Sequence, residues 1–302
     1  MDPRNSFSGL GGPSGQGFSE ILGPPEGRYF GGGFRRVSHR IEHAADTGSA
    51  SQIMLNAVGS AFYPEDWSLD ASGKPRTVHL STFDALALTA ATLRHAASGN
   101  ERMNRLLTDC SVRSVRVKAP ARTITSILGI DITVQGTKSA DEVGGWHITS
   151  RVGGFTVDLD LSPENWGFLP IDEQLHQPSG SDPFMEGWMT PLASTAIRTV
   201  QELDGTSITL TCLEEMAMFG QLSQLVVYTT KDTDRHGIPN LWLRQLSLAR
   251  AARTPSARIE ARTTLTRDRI LRIGGDTLVD IRVSFETDYG AVAQASFGYR
   301  PL

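Results

Sequence analysis

The chain has 302 residues, a formal net charge of −4, 21% charged residues and 39% apolar residues. That balance offers no basic face for nucleic acid, and no apolar run approaches the roughly 18 residues needed to cross a bilayer. Two cysteines without metal-ligand spacing exclude a disulfide framework, and no basic-then-apolar leader opens the chain, so a cytoplasmic protein with no metal and no cofactor is expected.

Residues 1–27 are rich in Gly, Ser and Pro and bury too little apolar surface to offset their ordering entropy, so most of them are expected to be mobile. Order is expected to begin near Arg28, with strands over 34–43 and 52–63. A helix follows over 81–97. Ser81 or Thr82 serves as its N-cap, Phe83, Leu86, Ala87, Ala90 and Ala91 recur at helical spacing, and Gly99 and Asn100 stop it. A short helical piece at 102–107 precedes strands over 111–118, 124–135, 146–151 and 155–161. Residues 163–192, which hold Pro163, Pro170, Pro178, Pro183 and Pro191, read as a linker. A strand at 195–203, a helix at 211–230 and strands at 240–249, 258–265, 277–285 and 292–299 complete the chain.

The order of elements therefore occurs twice, and the sequence repeats with it. Residues 79–88 (HLSTFDALAL) align without a gap on 209–218 (TLTCLEEMAM), and at the same displacement of 130 positions Gly144-Gly145 falls on Gly274-Gly275. Runs of strands with one buried helix indicate an α+β class rather than alternating strands and helices. An antiparallel sheet wrapped round one long helix is the hotdog architecture. Two such sheets in one chain make a double hotdog, with units at 28–162 and 193–302.

Both copies place an acid, Asp84 or Glu214, in the first helical turn, where backbone N–H groups favour negative charge. A cap facing water is the plain reading of either acid alone. Apolar neighbours in both copies argue instead for burial, which raises a carboxyl pKa and suits acid–base work. His79, five residues before Asp84, either ties down the loop or shuttles a proton, and the second copy has Thr209 there. Ser81, Thr82 and Thr211 read as caps beside amides able to polarise a thioester carbonyl. Cys212 reads as an inert buried thiol. Arg28, Arg35 and Arg36 are surface charge or phosphate contacts, with surface favoured for at least two. His39 and His43 are four apart in a strand, project to one face and lack metal-ligand spacing.

Residues 83–87 (FDALA) and 213–217 (LEEMA) resemble the hydrophobic–Glu–Ala–Met–Ala segment on the central helix of hotdog-fold β-hydroxyacyl-thioester dehydratases. Those enzymes pair the acid with a His about fourteen residues upstream; here that position is Asp70, and Val200 in the second copy, so their dyad is absent in its usual form. More of the chain is covered by a second resemblance. Residues 27–37 (GRYFGGGFRRV), Tyr63-Pro64 with Trp67, and 79–86 (HLSTFDAL) are similar to the avirulence D (AvrD) family, related to A-factor-synthase-type hotdog proteins.

The AvrD resemblance implies a biosynthetic enzyme that takes a β-ketoacyl thioester from an acyl carrier protein or coenzyme A. It joins this to a small hydroxyketone or ketose by acyl transfer and aldol-type condensation, giving a syringolide-like signal. On this reading His79, Asp84 and Glu214 are the catalytic candidates, and Ser81, Thr82, Thr211 and Arg28 the substrate-binding ones. A hotdog dehydratase or thioesterase is the alternative on the same fold. A non-catalytic ligand-binding or scaffold subunit is the alternative of another class. Formation of a homodimer stays open.

Overall fold

The computed structural model describes residues 15–24, 28–30, 33–49, 51–65, 67, 74–140, 144–163, 187–202, 210–233, 238, 241–250, 258–273 and 276–300. Its first half holds β1 (Gln16–Gly17), α1 (Phe18–Leu22), a 3-10 turn (Gly33–Arg36), β2 (Ser38–Asp46), β3 (Gln52–Phe62), α2 (Thr82–Ala97), α3 (Glu101–Asp109), β4 (Ser111–Lys118), β5 (Ile130–Lys138), β6 (Trp146–Val152) and β7 (Phe155–Ser162). The second half holds β8 (Trp188–Ala193), β9 (Ala196–Glu202), α4 (Cys212–Lys231), β10 (Trp242–Ala249), β11 (Arg258–Ile273), β12 (Asp276–Thr287) and β13 (Val292–Tyr299).

All the strands form one antiparallel sheet in the order β1-β8-β9-β11-β12-β13-β10-β4-β7-β6-β5-β3-β2. Read outward from the β4–β10 pair, the two halves have the same connectivity. Each runs through two paired strands, a long helix, a strand at the seam, and a three-strand meander that starts beside the first pair and returns to the seam. The repeat seen in sequence is thus a repeat of topology. The expectation of two sheets is corrected, because β4 and β10 pair along Lys118↔Gln245 to Ser114↔Ala249 and merge them. Pairing these strands removes two open edges of unsatisfied N–H and C=O groups.

The long helices are apolar on nearly every side, the pattern of a helix enclosed by protein. In α2, Phe83, Ala85, Leu86, Leu88, Ala90 and Leu93 are all at most 3% exposed, and the helix lies against each of β2 to β7. Its buried hydroxyls are satisfied within the helix: Thr89 Oγ1 and Thr92 Oγ1 each donate to the carbonyl one turn back at 2.8 Å. No helix among the described residues is long and apolar enough to cross a membrane. Gly153 and Gly154, at φ +52° and +95°, make the two-residue turn between β6 and β7.

Several boundaries differ from expectation, each for a tertiary reason. Residues 16–22, assigned to a mobile terminus, are ordered as β1 and α1, because Phe18 and Leu22 bury fully and the Phe18 amide donates to the Gly187 carbonyl at 3.0 Å. The linker expected over 163–192 contains the first residues of β8, which pairs with both β1 and β9; residues 164–186 lie outside the described residues, as do Thr209, Gly274 and Gly275. The strand read at 124–135 starts only at Ile130, since Ile124 and Ile127 give their carbonyls to Leu80 and Ala61. The strand read at 34–43 opens instead as a 3-10 turn.

Gly220, midway along α4, marks a close approach. A Cβ there would sit 3.0 Å from ring atoms of Phe30, and that ring is backed by Phe83 and Tyr29 at centroid distances of 5.4 and 5.5 Å. Gly220→Ala would add about 1 kcal/mol of helix propensity, but overpacking costs roughly 1–3 kcal/mol. A lower urea midpoint is therefore expected for the variant; a higher one would show that Phe30 yields.

Candidate functional site

The acid of each repeat closes a capping box. In α2, Ser81 Oγ accepts from the Asp84 amide at 3.1 Å and Asp84 Oδ2 accepts from the Ser81 amide at 2.7 Å. In α4, Thr211 Oγ1 accepts from the Glu214 amide at 3.1 Å and Glu214 Oε2 accepts from the Thr211 amide at 2.9 Å. Two orphan donors are satisfied at each helix start. Ser81 and Thr211 are therefore caps, and Thr82, the first helical residue, is buried at 4% exposure. The acids cap without facing water: Asp84 is 0% exposed and Glu214 7%.

Asp84 gathers the first half's polar groups around it. His39 Nε2 lies 2.8 Å from Oδ1, and the Tyr63 hydroxyl donates to Oδ2. The same hydroxyl is 3.1 Å from the carbonyl of His79, and Tyr29 Oη is 2.8 Å from Ser81 Oγ. Burial alone would push the Asp84 carboxyl up. The hydrogen bond and charge of His39, with the bonds from Tyr63 and Ser81, outweigh it and hold the group below the usual carboxylate range. Tyr63 is pushed up, first by burial and then by the neighbouring Tyr29 and Asp84, and Tyr29 is pushed up by burial and then by Asp84. Both phenols stay protonated.

An ionised carboxylate only accepts, so the ring nitrogen of His39 facing it, Nε2, carries a proton; whenever the ring is neutral, Nδ1 keeps its lone pair. Among the described residues nothing hydrogen-bonds Nδ1. The arrangement is an imidazole oriented through one nitrogen by a buried acid, with the other nitrogen left for a proton.

The structure does not bring His79 to Asp84. Its Nδ1 is 3.2 Å from the Thr77 carbonyl and its ring meets Trp67 edge-on at 5.9 Å; only its backbone reaches the cluster. His39 escaped the sequence reading because it was weighed only as a metal ligand. The available signal was its place between Val37 and Ile41, an inward position in an alternating strand. His43 does not share that face: the register shifts between Ile41 and His43, and His43 is exposed.

Two of the three arginines expected mostly at the surface turn inward. Arg28, expected to bind substrate, is 3% exposed, and donates from Nη1 to Gln221 Oε1 at 3.0 Å and from Nη2 to Ser19 Oγ at 3.2 Å. Arg35 Nη2 pairs with Glu214 Oε1 at 2.9 Å, while Arg36 is exposed. Glu214 is thus neutralised from the first half and does not join Asp84's partners. Its neighbour Glu215 forms a separate buried group with Arg250 Nε at 2.6 Å and the Tyr289 hydroxyl at 3.1 Å. Cys212 beside it is pushed up to about 12 by burial, an inert thiol.

No curated protein matches the chain in sequence. Among solved structures it is similar to an acyl-CoA thioesterase II, TesB2, from Mycobacterium marinum, at 11% identity over 86% of this chain and 95% of that chain, TM-score 0.40. The dehydratase domain of the CurJ module of the curacin polyketide synthase is similar at 11% identity over 87% and 96%, TM-score 0.39. The 12:0-ACP thioesterase from Umbellularia californica is similar at 13% identity over 88% and 94%, TM-score 0.38. The family model described as Pseudomonas avirulence D protein (AvrD) matches residues 14–165, the stretch that carries His39, Tyr63, Ser81 and Asp84, and the chain belongs to that family.

Proposed function

We propose that the chain is a double-hotdog enzyme, with units at 28–162 and 193–302, that acts on an acyl thioester held by a carrier protein or coenzyme A. The observation that carries the reading is the contact of 2.8 Å between His39 Nε2 and Asp84 Oδ1, with Nδ1 turned to no other described residue. In this reading His39 Nδ1 takes the proton of the attacking acceptor hydroxyl, or the acidic proton between the two carbonyls of a β-ketoacyl group. Asp84 balances the imidazolium that results. First-turn amides of α2 outside the capping box, those of Thr82 and Phe83, face the developing oxyanion.

AvrD membership supports the finer reaction: transfer of a β-ketoacyl group to a small hydroxyketone or ketose, followed by intramolecular aldol-type closure. The test is to incubate the protein with a β-ketoacyl thioester and xylulose and to identify products by mass spectrometry. A condensed acyl-sugar product is expected. Free acid alone would replace transfer by hydrolysis, an enone without sugar would replace it by dehydration, and an unconsumed thioester would sink the enzyme reading altogether.

A further inference from the structure

Residues 28–30 and 33–39 are tied to the two long helices by different side chains. Toward α4, Arg28 Nη1 donates to Gln221 Oε1 at 3.0 Å, Gln221 Nε2 donates to the Phe30 carbonyl at 2.9 Å, and Arg35 meets Glu214 at 2.9 Å. The Phe30 ring lies on the bare backbone of Gly220. Toward α2, Tyr29 meets Ser81 and His39 meets Asp84, both at 2.8 Å. Gln221 is fully buried, and the Arg35 and Glu214 side chains are 8% and 9% exposed.

The two acids at equivalent capping positions have diverged through this one segment. Asp84 receives an imidazole, whose second ring nitrogen can accept; Glu214 receives a guanidinium, which only donates. Glu214 is held in an ion pair with Arg35. Its partner Arg35 is four residues from His39, across the step from the 3-10 turn into β2. That strand is the last of the sheet and pairs only with β3. The backbone ladder therefore restrains the start of β2 from one side only, and a further restraint comes from the side-chain ties to α4.

We infer that Glu214 and Gln221 are positioning residues for His39: the second half of the chain holds the strap that aims the imidazole at Asp84. The effect on turnover rests on the proton-transfer role proposed above; the effect on the imidazole does not. Displacing a catalytic group by about 1 Å can lower turnover roughly a hundredfold, and a loss of that order in kcat with little change in KM is expected for Arg35→Met and Glu214→Gln.

The test combines kinetics with long-range proton–nitrogen NMR of the histidine side chains, His39 being assigned by its disappearance in His39→Gln. Wild-type protein is expected to show His39 as a single tautomer protonated at Nε2. Arg35→Met and Glu214→Gln are expected to show mixed or broadened His39 signals, with the other histidines unmoved. Glu214→Gln keeps the volume and the Thr211 cap, so it reports even where Arg35→Met fails to fold. A folded Glu214→Gln protein with an unchanged His39 signal and unchanged kcat overturns the inference. A changed signal in a protein that consumes no thioester, wild type included, upholds the strap and removes the enzymatic reading instead.

Discussion

Asp84→Asn is expected to abolish nearly all turnover of the thioester substrate, by a factor on the order of 10³, the midrange for loss of an acid–base device. The carboxylate accepts from three donors: His39 Nε2, the Tyr63 hydroxyl and the Ser81 amide. An amide has one accepting end. If its oxygen stays toward Ser81 and Tyr63, its NH₂ faces His39 Nε2 and drives the ring to the opposite tautomer, whose Nδ1 carries a proton and cannot take one. If it flips, the Ser81 amide faces a donor and the capping box opens, at about 1–3 kcal/mol for a buried unsatisfied group. His39→Ala is expected to lose as much activity, and the double variant no more than either single one, because the two residues work as a unit.

The same carboxyl predicts an acid-side loss of stability. Its folded value lies below the usual range, whereas an Asp in the unfolded chain titrates near its ordinary value of about 3.9. Its contribution is thus full above the unfolded value and disappears as pH falls toward the folded one. Wild-type unfolding midpoints should fall more steeply than those of Asp84→Asn below about pH 4. Parallel curves for the two proteins would show that Asp84 is not held low.

Arg250→Met is expected to cost stability by about 3–5 kcal/mol, the price of stranding one member of a buried ion pair. Glu215 and Arg250 side chains are each 2% exposed, and Arg250 Nη2 also donates to the Leu210 carbonyl at 2.8 Å, just ahead of the Thr211 cap. Burial pushes Glu215 up and the guanidinium is what chiefly opposes it, so removing Arg250 leaves the carboxyl with the Tyr289 hydroxyl alone. The melting midpoint should drop by roughly 10 °C, at about 2–4 °C per kcal/mol for a chain of this size. Glu215→Met combined with Arg250→Met should recover most of the loss, since an apolar pair has no charge to desolvate. A single variant melting with the wild type would show that the pair contributes nothing.

The helices were the most legible part of the sequence. Ser81 and Thr211 each stand three residues before an acid and open a long apolar run, so cap, start and burial were written locally, and α2 and α4 begin and end within a residue of expectation. The β6–β7 hairpin was legible for the same reason, its paired glycines admitting the positive φ the turn requires. The N-terminal segment was not: its composition is that of a loose tail, yet Phe18 finds Gly187 across the fold and α1 orders around that contact.

The repeat, the positions of its two acids and the AvrD motif were determined by sequence alone, because each depends on residues near one another in the chain or on identity at a fixed displacement. Which imidazole serves Asp84 was decided only by tertiary structure. His79 is five positions away, but its ring turns to Thr77 and Trp67 as the loop enters the helix. His39 is 45 positions away and arrives through the pairing of β2 with β3 and the packing of α2 beneath them. The fate of Glu214 was settled in the same way, by an arginine from the other half of the molecule. Sequence placed two equivalent carboxylates at two helix starts; tertiary structure set the ring of His39 against one and the guanidinium of Arg35 against the other.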